Sequence, residues 1–245
     1  MVPRDQGWYY KTVDKECAMK LRLIEKEHLV DNVWAFRFKP SEPLAYTAGQ
    51  YVRVELPHDN PDKEGTMRWF TNSAAPYEGI MQITTRVTDS TFKQALSKLE
   101  PGNELQVIEA PEGDFVWQDS AMPLVFVAGG IGVTPFRSIL RQRAHNGLPL
   151  AITLVYGSRT TDVPFKDELT QWSQKDPQLK VHYAVGEPLT AESLIKLVPN
   201  LNLSLVYLSG PEPMVEALGS DLKKHGLPEN QLKQDFFPNY TKANY

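Results

Sequence analysis

Hydrophobic and polar positions alternate through the first part of the chain and then change rhythm. Trp34, Phe36 and Phe38 alternate with Ala35 and Arg37, and Val52, Val54 and Leu56 alternate with Arg53 and Glu55. A period of two sends successive side chains to opposite faces of an extended chain, so both runs read as half-buried strands. Further strand-like runs cover 18–29, 66–72, 80–87 and 104–110. Turn residues separate them: Pro40, Gly49, the stretch Pro57 to Gly65, Gly79 and Pro101-Gly102. One short helix is predicted at about 91–99, with Phe92, Leu96 and Leu99 on one face. Six short strands in so short a stretch predict an all-β antiparallel barrel or sandwich.

From residue 124 the pattern becomes strand, helix, strand. Leu124 to Ala128 is a continuous apolar run, as expected of a strand buried on both faces. A helix is predicted to open at Thr134-Pro135 and to close at Gly147, with Phe136, Ile139 and Leu140 on its apolar face. Then come a strand at Ile152 to Tyr156 and a helix at 164–173 carrying Phe165, Leu169 and Trp172. Strands at 179–185, 204–209 and 232–236 alternate with helices at 191–197 and 212–225. Alternating β and α predicts a parallel sheet, here of five strands, with helices on both faces. The changeover near 116–122 divides the chain into residues 1–118 and 119–245.

Composition narrows the class. In 245 residues, 41% hydrophobic and 23% charged content predicts a packed core rather than disorder. Net charge is −4 and no basic stripe is present, which argues against nucleic acid as a partner. No apolar run is long enough to span a bilayer. The start, MVPRDQGWYYKTVDKE, has no apolar segment of the secretory type, so the cytoplasm is the expected location. A lone cysteine, Cys17, cannot form an intrachain disulfide or ligate an iron–sulfur cluster, and the five histidines lack metal-ligand spacing.

Two turns carry candidate chemistry. In VFVAGGIGVTPFRSIL a buried strand runs through Gly129-Gly130-Ile131-Gly132 into a helix. Glycines let the backbone approach a phosphate, and a helix start offers unpaired N–H groups. Gly130 and Gly132 are the candidate phosphate contacts, with Thr134 read as a cap whose hydroxyl reaches a phosphate oxygen. A ligand-free tight turn is the competing explanation. A second strand-to-helix turn, Ser209-Gly210-Pro211-Glu212-Pro213-Met214, points to the same sheet edge, where ligands of open parallel sheets lie. In the first half, Arg68, Trp69, Phe70 and Thr71 place an arginine and an aromatic ring on one strand face, with a hydroxyl beside them. Such a trio suits a pyrophosphate and a flat ring, although plain barrel packing explains it equally.

The order and spacing of several motifs resemble the ferredoxin–NADP reductase superfamily in its small two-domain, FAD-binding form. The matches are Gly49-Gln50-Tyr51, then Arg68, Phe70 and Thr71, then Pro111, Gly113 and Phe115. Gly129 to Pro135 and the trio Gly210, Pro211 and Met214 follow. The resemblance implies a six-stranded antiparallel barrel binding FAD, followed by a Rossmann-like α/β domain binding NADPH or NADH. It implies that Arg68 contacts the FAD pyrophosphate, Phe70 stacks on the flavin and Thr71 approaches N5. Ile83, Thr84 and Thr85 would line the flavin through their backbone, with Arg86 nearby. Ser90, Thr91, Phe92 and Lys93 resemble the second FAD-phosphate segment, although glycines usual there are replaced by Thr88-Asp89.

By the same resemblance Ser209 would abut the nicotinamide, where many members carry cysteine. Phe237 and Tyr240 resemble an aromatic ending in which a ring covers the flavin; hydrophobic docking of the tail is the alternative. Ser158 and Arg159 follow the second strand of the α/β part and lean the choice slightly to NADPH, while Asp162 opposes a 2′-phosphate. The implied reaction is hydride transfer from NAD(P)H to flavin N5, then electron transfer to a separate acceptor such as ferredoxin or flavodoxin. The serine at 209 keeps open an FAD-holding electron-transfer or regulatory subunit with a vestigial nicotinamide site. A nucleotide-binding module without flavin is a third reading.

Overall fold

The computed structural model describes residues 19–237. The first half forms β1 (Met19–Val30), β2 (Val33–Pro40), β3 (Tyr51–Glu55), β4 (Met67–Thr71), β5 (Met81–Arg86), α1 (Thr91–Ser97) and β6 (Glu104–Glu112). The strands make one antiparallel sheet in the order β4-β3-β6-β1-β2-β5. The two edge strands meet only just beyond β4: the Ser73 N–H donates to the Gln82 carbonyl at 3.0 Å, and Asn72 Oδ1 accepts from the Gln82 N–H at 2.9 Å. The sheet is therefore a half-barrel. Alternation along β2 and β3 sends Phe36, Phe38, Val52 and Val54 inward, where Phe92 and Leu96 of α1 close the core. Fully burying a phenylalanine such as Phe36 or Phe92 contributes about 1.5–3 kcal/mol.

The second half forms β7 (Leu124–Gly129), α2 (Val133–His145), β8 (Ile152–Ser158), α3 (Lys166–Lys175), β9 (Leu179–Val185), α4 (Ala191–Leu197), β10 (Leu205–Pro211), α5 (Glu212–Lys224) and β11 (Leu232–Phe237). The five strands are parallel in the order β11-β10-β7-β8-β9. Opposite faces of β7 pack separately. Phe126 and Ala128 meet Phe136, Ile139 and Leu140 of α2, whereas Val125 and Val127 face Leu194 of α4 and Val215 and Leu218 of α5. This two-sided burial is why β7 reads as an unbroken apolar run.

The helix after β7 begins earlier than its punctuation predicts. Gly130–Gly132 coil into a single 3-10 turn that leads directly into α2 at Val133. Pro135 therefore stands third in the helix. The segment joining the halves inserts Phe115 into the α/β core, as does Ala48 from the first half. Among the described residues no helix is long and apolar enough to cross a membrane.

Candidate functional site

The site is built where two strand-to-helix turns of the parallel sheet face the edge of the half-barrel. Gly130 has φ +52°, a left-handed conformation, and a Cβ there would meet nothing within 4 Å. Its neighbour Gly132 is needed for a different reason: a Cβ would lie 2.2 Å from the Ser209 carbonyl oxygen. The turn after β7 and the turn after β10 thus pack directly on each other. Met214 lies beside Gly129 and Gly210 in the same contact, with Pro211 ending β10. Open space at Gly130 leaves backbone available to a ligand phosphate.

Thr134 does not act as the predicted cap. Because the 3-10 turn moves the helix start upstream, Thr134 lies inside the first turn, 2% exposed, and its hydroxyl donates to the Ile131 carbonyl at 3.1 Å. Ser209 is fully buried in β10, and its hydroxyl faces Asp235 Oδ2 at 3.4 Å. Burial pushes the Asp235 carboxyl up to about 6; the Ser209 hydroxyl opposes the rise and the charge of Asp114 adds to it. Asp235 was not singled out in the sequence. It is brought to Ser209 by the parallel pairing of β10 with β11, a long-range register that no local motif announces.

On the half-barrel, Arg68 and Phe70 share one face of β4, and Trp69 lies on the other. Phe70 is 9% exposed and packs against Phe92 at 5.7 Å between ring centroids. Trp69, 40% exposed, sits with Tyr51 and Arg53. Arg68 lies over the Phe92 ring and is paired with Asp62 at 2.7 Å. The same Asp62 carboxylate accepts from the Thr91 N–H and, at 3.5 Å, the Ser90 hydroxyl. Arg68, Ser90 and Thr91 thus converge on one anion, a donor set that fits a phosphate oxygen. Lys93 lies in the same short helix.

Ile83 is buried in the half-barrel core, and Thr84 and Thr85 are 5% and 2% exposed. Among the described strands β5 pairs with β2 alone and so forms an edge of the sheet. Thr84 Oγ1 joins a buried network with Ser73 Oγ at 2.7 Å and Gln82 Nε2 at 3.1 Å. Thr71 is 6% exposed at the end of β4. Arg86, at the end of β5, is bonded to Asn32. Ser158 ends β8 and accepts from the Thr160 N–H at 3.3 Å, with Arg159 next to it. Phe237, half-buried, pairs with Pro211; Tyr240 lies outside the described residues.

A joint between the halves fixes these parts. Arg137 of α2, 5% exposed in its side chain, donates to the Ser73 carbonyl at 2.5 Å and pairs with Glu168 at 2.7 Å. Its guanidinium stacks on Phe165, which holds a left-handed φ of 63°. The Ser138 hydroxyl donates to the Ala74 carbonyl at 2.5 Å. Arg141 pairs with Glu78 at 2.9 Å and also with Glu168. Cα atoms of β5 and of the Gly130–Gly132 turn consequently approach within 8 Å. The sequence signal for Arg137 was a cation amid apolar helix positions, too common a feature to single out.

Comparison with known proteins agrees with this geometry. Residues 20–117 match the oxidoreductase FAD-binding domain family, and residues 126–219 match the oxidoreductase NAD-binding domain family. The CDP-6-deoxy-L-threo-D-glycero-4-hexulose-3-dehydrase reductase of Yersinia pestis is 25% identical over 218 residues, covering 84% of this chain and 64% of that protein. Flavohemoprotein A of Dictyostelium discoideum is 27% identical, covering 84% of this chain and 57% of that protein. The chain thus spans less than two thirds of the length of these relatives. Among solved structures, a ferredoxin NADP+ reductase from Neisseria gonorrhoeae with bound FAD and NADP superposes with a TM-score of 0.76. It shares 16% identity, and the match covers 89% of this chain and 98% of that one.

Proposed function

The chain belongs to the ferredoxin–NADP reductase superfamily of FAD- and NAD-binding oxidoreductases, and from that premise we propose that it takes hydride from NAD(P)H onto flavin N5 and passes electrons to a separate acceptor. The acceptor is another protein, such as a ferredoxin or flavodoxin, or a small molecule. The flavin part is residues 1–118 and the nucleotide part 119–245. The observation that carries the reading is the approach of β5 to the Gly130–Gly132 turn. A strand edge suited to a flat ring and a turn suited to a dinucleotide phosphate lie next to each other.

When bound, FAD and the nicotinamide supply the hydride chemistry. The chain's own residues hold, orient and shield. Arg68, Ser90 and Thr91 would bind the pyrophosphate in place of the Asp62 carboxylate. Phe70 would sit against the flavin ring and Thr71 would offer its hydroxyl to N5. The backbone at Gly130 meets the nucleotide phosphate, and the Arg137 joint holds β4 and α2 in register so that donor and acceptor meet without water. Ser158 and Arg159 favour a 2′-phosphate, against the charge of Asp162, and so lean the choice to NADPH.

One observation favours a second reading. Ser209 is fully buried with its hydroxyl on Asp235, which suits an FAD-holding subunit whose nicotinamide site is silent. One experiment separates the two. The chain is loaded with FAD and mixed anaerobically with NADPH or NADH. Loss of the flavin absorbance supports the reductase. A spectrum that stays oxidised with excess of both nucleotides supports the silent subunit.

A further inference from the structure

The loop at 57–65, between β3 and β4, is fastened to the groups that the proposed reading sets aside for the flavin pyrophosphate. Asp62 Oδ1 accepts from Arg68 Nη2 at 2.7 Å and from the Glu64 N–H at 2.9 Å. Asp62 Oδ2 accepts from the Thr91 N–H at 3.3 Å and the Ser90 hydroxyl at 3.5 Å. The Asp62 N–H donates to Thr91 Oγ1 at 3.0 Å, which His58 Nε2 also meets at 3.0 Å. Glu64 brings a second carboxylate, 3.0 Å from Arg68 Nε. Arg68 Nη1 donates to the carbonyls of Glu64, Gly65 and Met67 at 3.0, 2.9 and 2.8 Å. All three nitrogens of this guanidinium therefore have acceptors within residues 62–67.

A guanidinium fork binds a carboxylate or a phosphate through the same N–H groups, so it cannot serve both in full. A pyrophosphate brought here would also meet two carboxylates of its own sign. No residue from Pro57 to Gly65 is buried, so apart from the His58 ring against Phe92 the loop's attachment is polar, and little apolar area opposes its lifting.

We infer that Asp62 is a tethered competitor for the flavin pyrophosphate, holding the anion site until FAD displaces the 57–65 loop. Asp62 therefore sets both how tightly FAD is held and how far FAD is preferred to flavins without a phosphate. The inference rests on the flavin reading above. Apparent affinity falls by the fraction of molecules with the loop open, so weakening the closed state tightens binding of FAD. Riboflavin has no phosphate and gains nothing from the displacement.

The test is a titration of the flavin-free chain with FAD and with riboflavin, read by flavin fluorescence, for the unaltered protein and for Asp62→Asn. The variant is expected to bind FAD at least about tenfold more tightly, with riboflavin affinity unchanged. Equal or weaker FAD binding by the variant, with flavin still bound, overturns the role of Asp62 and leaves the flavin reading standing. If neither protein takes up FAD or riboflavin, the flavin reading fails and the competition fails with it. A second measurement needs no substitution. Tryptic cleavage after Lys63 should quicken on adding FAD or inorganic pyrophosphate, and not on adding riboflavin. Cleavage that FAD leaves unchanged or slows means that the loop is not displaced, and the inference is wrong.

Discussion

Asp235 sits in an environment at odds with its chemistry. Burial raises its folded-state value to about 6, above the 3.8 of a free side chain. A raised value means that the folded protein favours the protonated form. The stability gained is full below the unfolded value and is lost as pH rises through about 6. At neutral pH the charge is a cost, so Asp235→Asn is expected to be more stable by about 1–2 kcal/mol, partial exposure having reduced the full figure. The advantage should shrink between about pH 7 and pH 4, measured by urea denaturation across that range; an advantage that grows on acidification would contradict the assignment. Arg137 predicts the opposite kind of loss. Arg137→Ala leaves Glu168 and Glu78 with less compensation and the Ser73 carbonyl without its donor, for a loss of about 3–5 kcal/mol. Arg137→Lys keeps the charge but not the fork and should fall between, both read as shifts in the denaturation midpoint. Neither residue was legible in the sequence, because an acid in a strand and an arginine in a helix acquire meaning only from partners 26 to 64 positions away.

Elements were more legible than partners. The six strands of the half-barrel and the alternation of the α/β part follow from periods of two and from unbroken apolar runs, which depend on neighbours in sequence. The start of α2 was missed. A threonine before a proline suggests a cap, yet Gly130, Ile131 and Gly132 upstream had already coiled into a helical turn. The glycine motif also proves to hold two requirements under one pattern. Gly132→Ala would drive a Cβ into the Ser209 carbonyl, and overpacking of this kind costs about 1–3 kcal/mol. Gly130→Ala meets no neighbour; it should cost only about 1–2 kcal/mol in backbone strain, while its Cβ projects into the open space proposed above for the nucleotide. Thermal denaturation with NADPH titration separates them: G132A should lose more stability, and G130A more nucleotide affinity per unit of stability lost.

At the scale of the molecule, the two halves are not independent bodies joined by a linker. Phe115 and Ala48 lie in the α/β core, while Arg137 and Ser138 hold carbonyls beyond β4. The chain is therefore expected to unfold in one step. Far-ultraviolet and near-ultraviolet circular dichroism should give coincident transitions in denaturant; two separated transitions would show that the joint is weak. The sequence by itself determined the two fold classes, their order, and the strand and turns that carry the cofactor motifs. Each of these is written in local period, apolar run length and glycine placement. Only the tertiary structure decided that β5 meets the Gly130 turn, that Asp235 faces Ser209, and that Asp62 pairs with Arg68. Those are contacts between segments far apart in the chain, set by sheet order and loop path, and no window of neighbouring residues encodes them.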